Sequence, residues 1–176
     1  GVDGLVAPMV ESAFGLVKFL NACSFIYGNK KIFKSINVET RQAAESIDDI
    51  LKVASRDIDN ITIGRTDLSQ SYFDEQVQPD SKFIQDLIKS LIQKVTTAGL
   101  TLTVGGSLSK ASIECFRDGS KEWSRRITNL ETRKVILPTY VMLEKEGALK
   151  EAIKFEELYL RFKLGVEELM IRSDKE

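Results

Sequence analysis

Short apolar runs alternate with longer stretches of helical periodicity along this chain, the pattern of βα units in a parallel sheet. Five runs read as strands, at residues 4–8, 33–39, 60–64, 100–104 and 134–137, each bounded on at least one side by Gly, Pro, Asn or Asp. The clearest helix follows Pro79, where Phe83, Ile84, Leu87, Ile88, Leu91, Ile92 and Val95 form one stripe at 3.6-residue spacing. Pro79 before it and Gly99 just past it are start and stop signals. Further helices are predicted over residues 11–22, 43–54, 109–116 and, longest, 147–171, whose apolar side carries Leu149, Ala152, Ile153, Leu158, Tyr159 and Phe162.

With three prolines and no low-complexity or Gly/Ser-rich segment, residues 1–176 are read as a single domain. One internal echo stands out: Ile36-Asn37-Val38-Glu39-Thr40-Arg41 is mirrored by Thr128-Asn129-Leu130-Glu131-Thr132-Arg133. Kinship between barrel units and coincidence both account for it. A closed (β/α)8 barrel takes about 250 residues, so five strands imply either an open doubly wound sheet or the carboxyl-terminal part of a barrel. Leu5 to Val10 already reads as a buried strand, so the chain is expected to begin inside a fold.

Composition narrows the chemistry. The 176 residues are 43% hydrophobic and 29% charged, as in an ordinary globular protein. Lys plus Arg number 25 against 26 Asp plus Glu, and a net charge of -1 disfavours nucleic acid or an anionic membrane as partner. No run approaches the roughly 20 apolar residues of a membrane span, and no signal peptide is visible, so a cytoplasmic location is expected. The absence of histidine removes Ser/His/Asp and Cys/His catalysis and nearly every zinc site. Cys23 and Cys115 stand in no CxxC and are read as reduced thiols.

In either architecture the active site lies beyond the carboxyl ends of the strands. Glu39 and Asp67 fall at or just past the ends of successive predicted strands, about 5 Å apart in the hydrogen-bonding direction. A carboxylate pair with open neighbouring positions suits Mg²⁺ or Mn²⁺, while by spacing alone helix capping or a surface ion pair is the commoner role of strand-end acids. Gly105-Gly106-Ser107 is either an anion cradle or a plain βα turn. Arg65, Arg41 and Arg133 either neutralise an anionic substrate or pair with neighbouring acids. Tyr72 and Phe73 read as a lid or as packing, and Trp123 as a subunit anchor or as cover for its own core.

Three stretches, Gly4 to Ala13 (GLVAPMVESA), Ile36 to Thr40 (INVET) and Ile63 to Ser69 (IGRTDLS), resemble in order and spacing the HpcH/HpaI aldolase and citrate lyase family; Leu130 to Ile136 (LETRKVI) resembles a branch with a similar ETRK strand. The resemblance implies an α/β fold of (β/α)8 barrel type, here spanning about strands 4–8, with a long C-terminal helix that packs on a neighbouring subunit of a homo-oligomer. It implies Mg²⁺ or Mn²⁺ held by Glu39 and Asp67, and substrate-binding positions at Pro8, Asn37, Gly64, Arg65 and Thr66. It implies C–C bond cleavage or formation on a 2-keto acid or acyl-CoA-type substrate through a metal-stabilised enolate. Two departures stand out: Asn37 occupies the place of a Gln, and Arg65 that of a small residue or Pro. The family's substrate arginine falls on a strand before Gly1. Two readings follow, a metal-dependent lyase and a non-catalytic barrel protein serving assembly or small-acid binding. Either way the chain is expected to associate or aggregate through its open edge.

Overall fold

The computed structural model describes residues 1–54, 57–118 and 122–173. The order is β1 (Gly4–Ala7), α1 (Ala13–Tyr27), β2 (Phe33–Val38), α2 (Arg41–Glu45), α3 (Ile47–Ala54), β3 (Asn60–Gly64), α4 (Arg65–Gln70), α5 (Lys82–Thr97) and β4 (Thr101–Gly105). There follow α6 (Lys110–Arg117), a 3-10 turn (Glu122–Arg126), β5 (Asn129–Glu131), β6 (Ile136–Pro138), α7 (Thr139–Glu144) and α8 (Ala148–Ser173).

Helix starts follow local chemistry. The side chains of Ser12, Thr40 and Ser81 accept from the backbone N–H groups of Gly15, Ala43 and Ile84, and Ser109 forms a reciprocal capping box with Ser112. The stripe predicted after Pro79 is α5, with Ile84, Ile88, Leu91, Ile92 and Val95 all buried. The helix expected over residues 43–54 is two short ones, α2 and α3, meeting at Ser46.

The strands pair in sequence order in one sheet, β1 to β5 parallel and β6 antiparallel to β5. This corrects one expectation. The run at 134–137 is not the fifth parallel strand; that place belongs to Asn129–Glu131, and β6 folds back on it with Leu130 opposite Leu137. A Thr132–Val135 turn closes the hairpin, the Val135 N–H donating to Thr132 Oγ1 at 3.2 Å and the Thr132 N–H to the Val135 carbonyl at 2.8 Å. Three residues with polar ends give no hydrophobic run to detect.

The sheet has two unlike faces, set by the period-two alternation of its strands. Ile36 and Val38, Ile61 and Ile63, Leu102 and Val104, and Leu130 are fully buried in one core with residues of α3 and α5. Each such side chain contributes roughly 1.5–3 kcal/mol of burial, offset by the entropy of ordering the chain. The opposite face is polar. Asn60 sits there among hydroxyls, its amide 2.8 Å from Ser35 Oγ and 3.0 Å from Thr101 Oγ1. The core helices α3 and α5 cover the aliphatic face, as in a barrel with its helices outside, whereas a doubly wound sheet carries helices on both faces.

Candidate active site

A cavity of about 670 Å³ opens at the carboxyl ends of β2 to β5 and is lined by Asn37, Glu39, Gly64, Thr66, Asp67, Gly105, Gly106, Ser107, Glu131, Thr132 and Arg133, with Ile153 and Glu156 of α8 at its side. Its floor follows from register. Val38, Ile63, Val104 and Leu130 are aligned across four strands, so the next residues, Glu39, Gly64, Gly105 and Glu131, form one row. Two glycines thus lie between two glutamates. A Cβ at Gly64 would stand 2.9 Å from Glu39 Oε2, and one at Gly105 would stand 3.1 Å from Glu131 Cβ.

Glu39 is only 7% exposed and is held by two donors, the Met9 N–H to Oε1 at 2.9 Å and Asn37 Nδ2 to Oε2 at 3.3 Å. Met9 presents that N–H from a left-handed backbone conformation (φ 53°), unusual for a residue with a side chain. Asn37 Oδ1 is buried without a hydrogen-bond partner, an acceptor left open in the cavity wall. Asp67, in the first turn of α4, is exposed and lines the same cavity. Thr66 Oγ1 and Ser107 Oγ stand 2.8 Å apart at the rim. Ser107 follows Gly106 in the left-handed region, and a Cβ on Gly106 would meet the Thr66 backbone nitrogen at 2.6 Å.

Glu131 is the group that reading the chain as separate strands does not place in the site. It is half-buried, and burial first, then the charge of Glu39, push its carboxyl above the usual range. The signal for it was the echo between the segments at 36–41 and 128–133, which the sheet sets in register. The two copies then diverge. Thr40 caps α2 and Thr132 closes a turn; Arg41 pairs with Glu45 at 2.7 Å, whereas Arg133 lines the cavity.

Of the positions the resemblance implied, Glu39, Asp67, Asn37, Gly64 and Thr66 line the cavity; Pro8 and Arg65 do not. Pro8 is exposed at the end of β1. Arg65 corrects the expectation of a substrate-binding cation: it is 2% exposed and turned away, donating to the carbonyls of Gly105 (3.2 Å) and Gly106 (2.7 Å), to Ser112 Oγ (3.2 Å) and to Asp80 Oδ1 (2.6 Å). Its guanidinium holds the β4–α6 loop against α4. Tyr72 packs edge-on to Phe83, Phe73 is almost fully exposed, and Trp123 packs edge-on to Phe116 over its own core.

Among the described residues no group of three or more His, Cys, Asp or Glu is placed to hold a metal ion. Glu39 and Asp67 are hard oxygen donors of the kind Mg²⁺ takes in ones and twos while keeping its waters, and the open Asn37 acceptor lies beside them; the donor set fits such an ion. A larger cavity, about 1020 Å³ between α6, α7 and the start of α8, is apolar at its base (Ile113, Met142, Leu149) and holds none of the strand-end residues. No helix among the described residues is long and apolar enough to cross a membrane.

No protein-family profile matches the chain, and no curated protein matches it in sequence. Among solved structures, RipC from Yersinia pestis is similar with a TM-score of 0.60 at 14% identity, over 84% of this chain and 66% of that one. The HpcH/HpaI aldolase from Desulfitobacterium hafniense DCB-2 gives 0.56 at 15% identity, over 92% and 64%. Haloferax volcanii malate synthase, in its lead(II) complex, gives 0.60 at 13% identity, over 81% and 42%. The chain spans less than two thirds of the length of each of these proteins. The likeness establishes the fold, an α/β half-barrel sheet with a long C-terminal helix, shared with HpcH/HpaI aldolase and citrate lyase structures.

Proposed function

We propose that this chain carries the metal-binding site of a divalent-metal-dependent carbon–carbon lyase of the HpcH/HpaI aldolase and citrate lyase family, acting on a 2-keto acid or acyl-CoA-type substrate. The observation that supports it most is the meeting of Glu39 and Asp67, from successive strand ends, in one polar cavity. Mg²⁺ or Mn²⁺ held there supplies Lewis-acid polarisation of keto and carboxylate oxygens. The chain's own groups do the rest. The Met9 N–H and Asn37 Nδ2 fix the Glu39 carboxylate and leave each of its oxygens a free lone pair. Gly64 and Gly105 keep the floor clear of side chains, and the hydroxyls of Thr66 and Ser107 offer donors to a substrate carboxylate at the rim. The same reading has the protein cytoplasmic, without nucleic-acid partners, and self-associating through α8, whose Phe155, Leu158, Phe162 and Leu164 are more than half exposed.

Mn²⁺ binding followed by electron paramagnetic resonance, with and without oxalate, on wild type, Glu39→Gln and Asp67→Asn tests the proposal. Expected are tight binding in the wild type, a spectrum that oxalate perturbs, and loss of binding in both variants. Tight Mn²⁺ binding retained in both would remove these residues as ligands.

A further inference from the structure

The two copies of Asn-x-Glu-Thr-Arg sit in register on β2 and β5, so their glutamates face one cavity across the Gly64–Gly105 floor. Their surroundings differ. Glu39 is nearly fully buried and tied by two donors, a group built to be held still. Glu131 is half-buried, and among the described residues its carboxylate has neither a hydrogen-bond donor nor an ion-pair partner. Gly105 leaves the space beside it empty, since any Cβ there would crowd the Glu131 side chain. A carboxylate placed in a cavity with open lone pairs must be met by donors from water or from a ligand.

Charge narrows which ligand. The cavity lining holds four acids, Glu39, Asp67, Glu131 and Glu156, against one cation, Arg133. Arg133 is exposed, so solvent screens it, whereas the more buried Glu131 is screened less. We infer that Glu131 determines specificity: its carboxylate forms the wall opposite Glu39, accepts hydrogen bonds from hydroxyl or ammonium groups at the end of the substrate remote from the metal, and turns away substrates with a second carboxylate there. This rests on the metal and keto-acid reading of the site. A like charge brought against a poorly solvated carboxylate is costly, while a hydroxyl in the same place satisfies it.

The test uses two 2-keto acids of the same length, 2-oxoglutarate and 5-hydroxy-2-oxopentanoate, which differ only in a distal carboxylate or hydroxymethyl group. Their dissociation constants are read from displacement of oxalate in the Mn²⁺ spectrum of the full chain at pH 8. The wild type is expected to favour the hydroxy acid by about tenfold or more. Glu131→Gln is expected to bring the two toward equality while Mn²⁺ and oxalate still bind, and Glu131→Asp, which keeps the charge, to retain the preference. Retained Mn²⁺ and oxalate binding with an unmoved preference in Glu131→Gln overturns the assignment of Glu131 alone. Loss of Mn²⁺ binding in Glu131→Gln overturns it too, by making Glu131 a ligand. A wild type that binds no Mn²⁺ removes the metal reading and this inference together.

Discussion

Two glycines and two glutamates in one row set the geometry of the site, and each makes a prediction at the scale of a single residue. Gly64→Ala places a methyl 2.9 Å from Glu39 Oε2 and 3.0 Å from its Cβ, so the Glu39 side chain must shift from the position its two donors fix. The expected result is a loss of Mn²⁺ affinity with a destabilisation of about 1–3 kcal/mol, as for other overpacked sites; undiminished affinity in a folded variant would show that Glu39 is not the ligand. Glu131 predicts a pH dependence. Its folded-state carboxyl titrates above the ordinary value of 4.5 because of burial and of Glu39. The stability it lends is therefore whole below that value and is lost as pH rises through the folded-state one. In metal-free buffer Glu131→Gln should melt above the wild type at pH 7.5, with the gap closing below about pH 4.5. A variant that melts lower at neutral pH would contradict the sign. Glu39 and Asp67 were legible in the sequence because acids just beyond apolar runs are visible without a structure. Glu131 showed only through the echo of the 36–41 segment, because its strand, Asn129–Glu131, is too short and polar to read as an apolar run.

Elements were legible where their signals are local. Apolar periodicity placed α5, α6 and α8 to within about three residues, while α1 runs on to Tyr27 beyond the expected end at 22, since a helical stripe is set by neighbours three and four positions apart. β5 and the antiparallel return of β6 escaped because pairing partners decide them, not their own composition. The β4–α6 loop makes the same point energetically: nothing in the sequence says that Arg65 reaches Gly105, Gly106 and Ser112, some forty positions away. Removing the charge that balances it tests that clamp. Asp80→Asn leaves Arg65 buried without its anion, and because Asp80 is itself 40% exposed, the expected loss is about 2 kcal/mol. Urea denaturation reads it, and a loss near zero would show that the carbonyls alone satisfy the guanidinium.

At the scale of the whole molecule the sheet is open, with β1 paired on one side only and Val6, Met9, Phe14, Phe25 and Ile26 all more than half exposed nearby. Unpaired strand edges and apolar patches of this kind recruit other chains. Light scattering of the 176-residue chain is expected to give a mass above the 19.8 kDa of one copy, and Phe162→Glu to lower it if α8 is the contact. A monomer that unfolds in one cooperative step would contradict both.

Apolar runs, helical stripes and strand-end acids are properties of neighbours in the chain, and they alone indicated an α/β protein with candidate acids beyond its strand ends. What the tertiary structure decided is which of those residues meet. Strand register, fixed only when aliphatic side chains 25 to 41 positions apart on neighbouring strands pack on one face, brought the two Asn-x-Glu-Thr-Arg copies to a common floor and turned Arg65 inward. A local pattern sets the face on which a side chain stands, but its neighbours across the sheet are set by packing of the whole.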